Sequence, residues 1–158
     1  MKKISSLLVT LVLLLGISCQ QNQSNSESNI KDTETKAVSK TAAVQMADRI
    51  EVLDFYGTHR CKTCRAIEAN SRYTLDTYFA QAMKDGKITF QVFNADEAQN
   101  AEIAEKFEAT GTSLFLNVVN GGNETIIELT DFAFAKGNDQ EAFSKGLKNR
   151  IEEQLQKF

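Results

Sequence analysis

Cys61 and Cys64, in the run Cys61–Lys62–Thr63–Cys64, are the side chains of this sequence best suited to covalent chemistry. Two cysteines that close cannot bridge distant loops. The spacing is that of a redox pair or of half a metal site. In a redox pair the attacking species is a thiolate, which opens a disulfide and passes through a mixed disulfide. As ligands, two thiolates suit soft ions such as Cu(I) or arsenite. His59, Arg60, Lys62 and Arg65 add a basic cluster around the pair. That cluster either lowers the pKa of a thiol beside it or is simply a solvated loop. His59, the only histidine, reads as a thiolate stabiliser, a third metal ligand or a surface loop residue. A closed metal site needs a fourth ligand that the sequence does not offer nearby, so no resident metal or cofactor is expected.

The elements that must hold this pair follow from periodicity. Arg49 to Tyr56 reads as a buried strand leading towards it, and Cys61 to Lys84 as a helix. Cys64, Ile67, Ser71, Leu75, Tyr78 and Ala82 fall at helical spacing, and Asp85–Gly86 stops the run. Lys87 to Phe93 alternates as a second strand, and Glu97 to Ala109 is a short helix with Ile103, Ala104 and Phe107 inward. Ser113 to Val119 is a third strand, Asn120–Gly121–Gly122–Asn123 a hairpin turn, and Glu124 to Thr130 a fourth strand. Asp139 to Phe158 closes the chain as an amphipathic helix with Phe143, Leu147, Ile151 and Leu155 on one stripe. Tyr73, Tyr78, Phe79, Phe90 and Phe143 are assigned to the core. A strand–helix–strand unit demands parallel strands, and the hairpin adds an antiparallel pair. The expectation is an α/β domain with a mixed four-stranded sheet flanked by helices.

That order, with the dithiol just after the first strand, resembles the thioredoxin fold. Val52–Leu53–Asp54–Phe55–Tyr56 looks like the family's strand before the active site. Phe107–Glu108–Ala109–Thr110–Gly111–Thr112–Ser113 leads into Leu114–Phe115–Leu116 and Asn120–Gly121 as thioredoxins lead into their hairpin. More narrowly, Gly57–Thr58–His59–Arg60–Cys61–Lys62–Thr63–Cys64 with Ser113–Leu114–Phe115 resembles small thioredoxin-like proteins of Bacteroidota. Those are labelled as an arsenic-operon or nitrophenyl compound nitroreductase subunit family. The resemblance implies a thiol–disulfide oxidoreductase or electron-relay subunit, acting on protein thiols or disulfides. It makes Cys61 the nucleophile at the helix start and Cys64 the buried resolving thiol; the charges of His59, Arg60 and Lys62, not the resemblance, make those three the candidates to stabilise the thiolate. Asp54 matches the buried acid that takes a proton from the resolving cysteine; its other reading is an edge-of-strand aspartate. The alternative function is a soft-metal or metalloid-binding protein using the same two thiolates. Three departures stand out. Arg60 replaces the family's Trp and Lys62–Thr63 its Gly-Pro, and one extra residue separates strand from motif. The chain also has no proline, so Thr112–Ser113, at the position of the cis-proline facing the dithiol, should carry a trans bond.

The remaining cysteine belongs to a different part of the chain. Met1–Lys2–Lys3 followed by the apolar run Ile4 to Ile17 reads as a secretory signal, too short for a spanning helix. Ser18–Cys19 resembles the bacterial lipoprotein box, although Gly16 stands where leucine is usual. The resemblance implies lipidation of Cys19, a membrane partner through that anchor, and a bacterial envelope location. Gln20 rather than Asp favours the periplasm-facing outer membrane. The expected domains are residues 1–18 as signal, 19–46 as lipidated cysteine and polar tether, and 47–158 as the thioredoxin-like domain. A run as polar as Gln20 to Asn29 buries too little apolar surface to offset its ordering entropy. Loss of Lys2 and Lys3 with the signal takes the formal charge from −3 to −5. That balance argues against a nucleic-acid partner, which calls for a basic face.

Overall fold

A computed structural model describes residues 47–158. The signal, Cys19 and the tether lie outside the described residues. The first strand, β1 (Arg49–Tyr56), is followed by α1 (Lys62–Tyr78), α2 (Ala80–Lys84) and β2 (Ile88–Asn94). A 3-10 turn at Ala98–Asn100 then leads into α3 (Ala101–Lys106). The chain continues through β3 (Ser113–Asn120), β4 (Asn123–Glu128), α4 (Thr130–Lys136) and α5 (Gln140–Leu155). The sheet has the order β2-β1-β3-β4. β1 runs parallel to β2 and antiparallel to β3, and β3 is antiparallel to β4. This is the mixed α/β sheet expected, and its strand order and directions are those of a thioredoxin-like fold.

Alternation along β1 splits the core in two. Ile50 and Val52 face α1, α4 and α5, packing with Ile67, Leu75, Ala133, Phe143, Leu147 and Ile151. Leu53 and Phe55 face α3, where the Phe55 ring lies 5.4 Å from Phe93, 5.7 Å from Phe107 and 5.8 Å from Phe115. Gly121 and Gly122 close the β3–β4 hairpin at φ 57° and 81°, backbone that side chains rarely adopt. Among the described residues no helix is long and apolar enough to cross a membrane.

Three expectations are corrected. The helix expected over Cys61 to Lys84 breaks at Phe79, whose φ of −129° leaves the helical region. The stripe through Ser71 and Leu75 next reaches either residue 78 or 79. The break turns Phe79 inward, and Tyr78 is 48 % exposed. Tyr73 is likewise 45 % exposed, so neither tyrosine is core, whereas Phe79 and Phe143 are buried. The helix α4 was not expected. Its N-cap, Leu129, makes no side-chain capping bond, and Phe132 and Phe134 alternate in the manner of a strand. Of the two readings of Asp54 the buried one holds: β1 is paired on both sides and Asp54 is fully buried.

Candidate functional site

Cys61 and Cys64 are joined as a disulfide, with their Cα atoms 5.0 Å apart. Cys61 caps α1 from extended backbone (φ −73°, ψ 171°), and its Sγ accepts the Cys64 N–H at 3.0 Å. The Cys61 N–H reaches the Cys64 Sγ at 3.2 Å. Helix starts leave backbone donors unpaired, and here one of them is aimed at the first sulfur. Cys61 is exposed and Cys64 is buried at 6 %.

Two other segments hold this helix start by contacts, and a third lies at the same end of the sheet. Behind β1, Ala95 N–H donates to Tyr56 O at 2.8 Å, and the Asp96 carboxylate accepts the Thr58 N–H at 2.6 Å. That bond, and His59 nearby, keep Asp96 below the usual carboxylate range. On the far side, Asn138 Nδ2 donates to Thr63 Oγ1 at 2.8 Å, and Asn70 Nδ2 to Gly137 O at 2.9 Å. Gly137 approaches so closely that a Cβ there would lie 3.0 Å from both Ile67 Cγ1 and Thr63 Cγ2. The third segment is Thr112–Ser113, half-buried where β3 begins opposite Phe55, at the end of the sheet that carries the dithiol. Its peptide bond is trans, as expected, and Ser113 Oγ hydrogen-bonds Gly111 O at 3.5 Å.

The basic cluster divides in two. His59 and Lys62 are exposed beside Cys61. Arg60 is folded back instead: its Nη1 pairs with Glu68 at 2.7 Å and its Nη2 donates to Cys64 O at 3.4 Å. Its guanidinium also lies 4.2 Å above the Tyr56 ring. Arg65 Nη1 in turn donates to Arg60 O at 2.8 Å. Asp54 lies on the β1 face that packs against α1, and neither of its carboxylate oxygens has a hydrogen-bond partner among the described residues. Burial without partners, reinforced by the Glu68 charge and opposed by Arg60 and Arg72, raises its pKa from 3.8 to about 7. Sequence reasoning missed Glu68, Asp96, Asn138 and Gly137. The only signal was spacing: Glu68 falls one turn beyond Cys64 on α1, within reach of a residue at the helix start.

The pair is therefore one exposed and one buried sulfur, with an uncommonly basic buried carboxyl on the same side of the sheet. Such a set can exchange disulfides and move one proton near neutral pH. Among the described residues, no cluster of three or more His, Cys, Asp or Glu side chains could hold a metal ion.

No family model matches the chain, and no curated protein matches it. Among solved structures it is similar to a thioredoxin from Fasciola hepatica, at 21 % identity and a TM-score of 0.40. That likeness covers 67 % of this chain and 81 % of the other. A second is the oxidised form of mitochondrial thioredoxin 3 from Saccharomyces cerevisiae, at 19 % identity and a TM-score of 0.40. It covers 67 % and 79 % of the two chains. The thioredoxin-like fold rests on this chain's own sheet order, β2-β1-β3-β4 with β3 reversed, and on its dithiol at the start of the helix after β1.

Proposed function

We propose that this chain is a thiol–disulfide oxidoreductase, or an electron-relay subunit using the same chemistry, held at the bacterial envelope by a lipid on Cys19. The single observation that carries the reading is the asymmetry of the dithiol: Cys61 exposed at the helix cap, Cys64 buried. In the reduced protein the Cys61 thiolate, favoured by the helix start, attacks one sulfur of a protein disulfide. A Cys61–substrate disulfide forms, and the other substrate sulfur leaves as a thiolate. The Asp54 carboxylate then takes the Cys64 proton. The Cys64 thiolate attacks Cys61 Sγ, closing the Cys61–Cys64 bond and releasing the second substrate thiolate. Two electrons pass from this dithiol to the substrate disulfide, and the reverse sequence oxidises a substrate dithiol. Trp-free packing around the motif, with Arg60 folded away over Tyr56, leaves Cys61, His59 and Lys62 as the surface that a protein substrate meets.

The test is a pair of variants. Cys61→Ser should abolish reduction of a model protein disulfide. Cys64→Ser should still attack but accumulate mixed disulfides, because nothing resolves them. Trapping by Cys61→Ser and not by Cys64→Ser would reverse the roles. Unchanged exchange in both variants would remove the dithiol from the reaction.

A further inference from the structure

The Arg60–Glu68 pair lies outside the dithiol yet touches its resolving half. Arg60 donates to the backbone carbonyl of Cys64 at 3.4 Å, covers the Tyr56 ring at 4.2 Å, and is held by Glu68 at 2.7 Å. Arg72 approaches the second Glu68 oxygen at 3.4 Å. The side chains of Arg60 and Glu68 keep only 22 % and 24 % of their exposure, so solvent screens them less than an ordinary surface pair. From these contacts we infer that Arg60 and Glu68 are positioning residues for the resolving step: together they fix the Cys64 turn, and their opposite charges set the readiness of Asp54 to accept the Cys64 proton. This rests on the resolving role proposed for Cys64.

The surroundings of Asp54 leave this pair in control. Its sheet neighbours are Val92 on β2 and Leu114 on β3. α5 presents Phe143, Leu147 and Ile151 to that face, and α4 presents Ala133. The charges acting on Asp54 come from α1 and the loop before it: Glu68 against its ionisation, Arg60 and Arg72 in favour. Tyr56, the remaining titratable group at this end of β1, lies under the Arg60 guanidinium. Glu68 thus does two opposed things. It holds Arg60 in place, and its own charge discourages a second carboxylate from ionising nearby. Asp54 must be ionised to receive the Cys64 proton, and protonated again to return it when the disulfide is next reduced. A carboxyl balanced between a fixed cation and a fixed anion can do both near neutral pH.

The experiment follows the Asp54 carboxyl by its 13C chemical shift against pH in the full-length reduced protein, with Asp54→Asn used to assign the resonance. Glu68→Gln should move the Asp54 titration to lower pH, and Arg60→Met should move it to higher pH. Arg60→Lys keeps the charge but loses the planar fork. It should leave the titration near wild type while slowing decay of a preformed mixed disulfide; if Arg60→Met fails to fold, an unslowed decay in Arg60→Lys or an unmoved titration in Glu68→Gln overturns the inference. A merely structural role would lower stability in all three variants without moving the titration in opposite directions. Shifts of the same sign in Glu68→Gln and Arg60→Met, or none in either, would overturn the inference. Failure of wild-type protein to exchange disulfides would instead sink the proposed function, and would leave the carboxyl titration to decide whether the pair governs Asp54.

Discussion

Asp54 should make this fold less stable as pH rises, and replacing it by asparagine should remove that dependence. Its carboxyl ionises at about 7 in the fold against 3.8 for an ordinary aspartate, because it is buried without hydrogen-bond partners beside Glu68. A raised acid pKa means the folded chain holds a proton that the unfolded chain has already lost. Unfolding between pH 4 and 7 therefore releases a proton, and stability falls with pH across that window. Above the folded value the penalty is complete. A shift of about three units at roughly 1.4 kcal/mol each amounts to roughly 4 kcal/mol. Asp54→Asn keeps the shape and cannot ionise. Its buried amide carries a desolvation penalty of about 1–3 kcal/mol, but that offset does not change with pH. Urea denaturation of the oxidised protein, followed by far-UV circular dichroism, would be run at fixed ionic strength from pH 4 to 8. The stability of Asp54→Asn relative to wild type should rise by up to roughly 4 kcal/mol across the series, most steeply midway between the two pKa values and levelling off above the folded one. A difference that stays flat from pH 4 to 8 would refute the argument, since it would mean that Asp54 titrates alike in the folded and unfolded chains. Under the proposed mechanism the same variant should also resolve mixed disulfides slowly.

Gly137→Ala should lower the melting temperature and stability by about 1–3 kcal/mol, because the new methyl would press on backbone and on a packed helix. Its Cβ would meet Ala133 O at 2.7 Å as well as Ile67 and Thr63, and a thermal melt that does not move would show the α1–α4 contact to be looser than this. Leu147→Ala, in a side chain with no exposure, should cost about 2–5 kcal/mol by denaturant titration, and a loss below about 1 kcal/mol would mean the α5 stripe is not core. Cys19→Ala should abolish incorporation of labelled palmitate and release the protein from membranes; continued labelling would remove the proposed anchor.

What the sequence determined by itself was local. The Cys61–Cys64 spacing, the strand before it, the helix carrying it and the glycine hairpin each depend on neighbours within a turn or two of chain. Short-range periodicity and turn chemistry therefore sufficed to read them, and the order of elements then permitted few topologies. Stripe positions such as Ile67, Leu75, Phe143 and Leu147 followed for the same reason. Only tertiary structure decided the rest. Asp54 reads identically in sequence whether its strand is an edge or the middle of the sheet; pairing of β1 with both β2 and β3 buried it and raised its pKa. Arg60 looked like one more cation beside Cys61 until α1 brought Glu68 to it and β1 supplied Tyr56. Asp96 and Asn138 hold the motif from far along the chain, through contacts with Thr58 and Thr63. The break at Phe79 and the unannounced α4 were likewise settled by which aromatic ring the core could take in. Burial and charge pairing are properties of what surrounds a side chain, and those surroundings are assembled from segments that no local pattern connects.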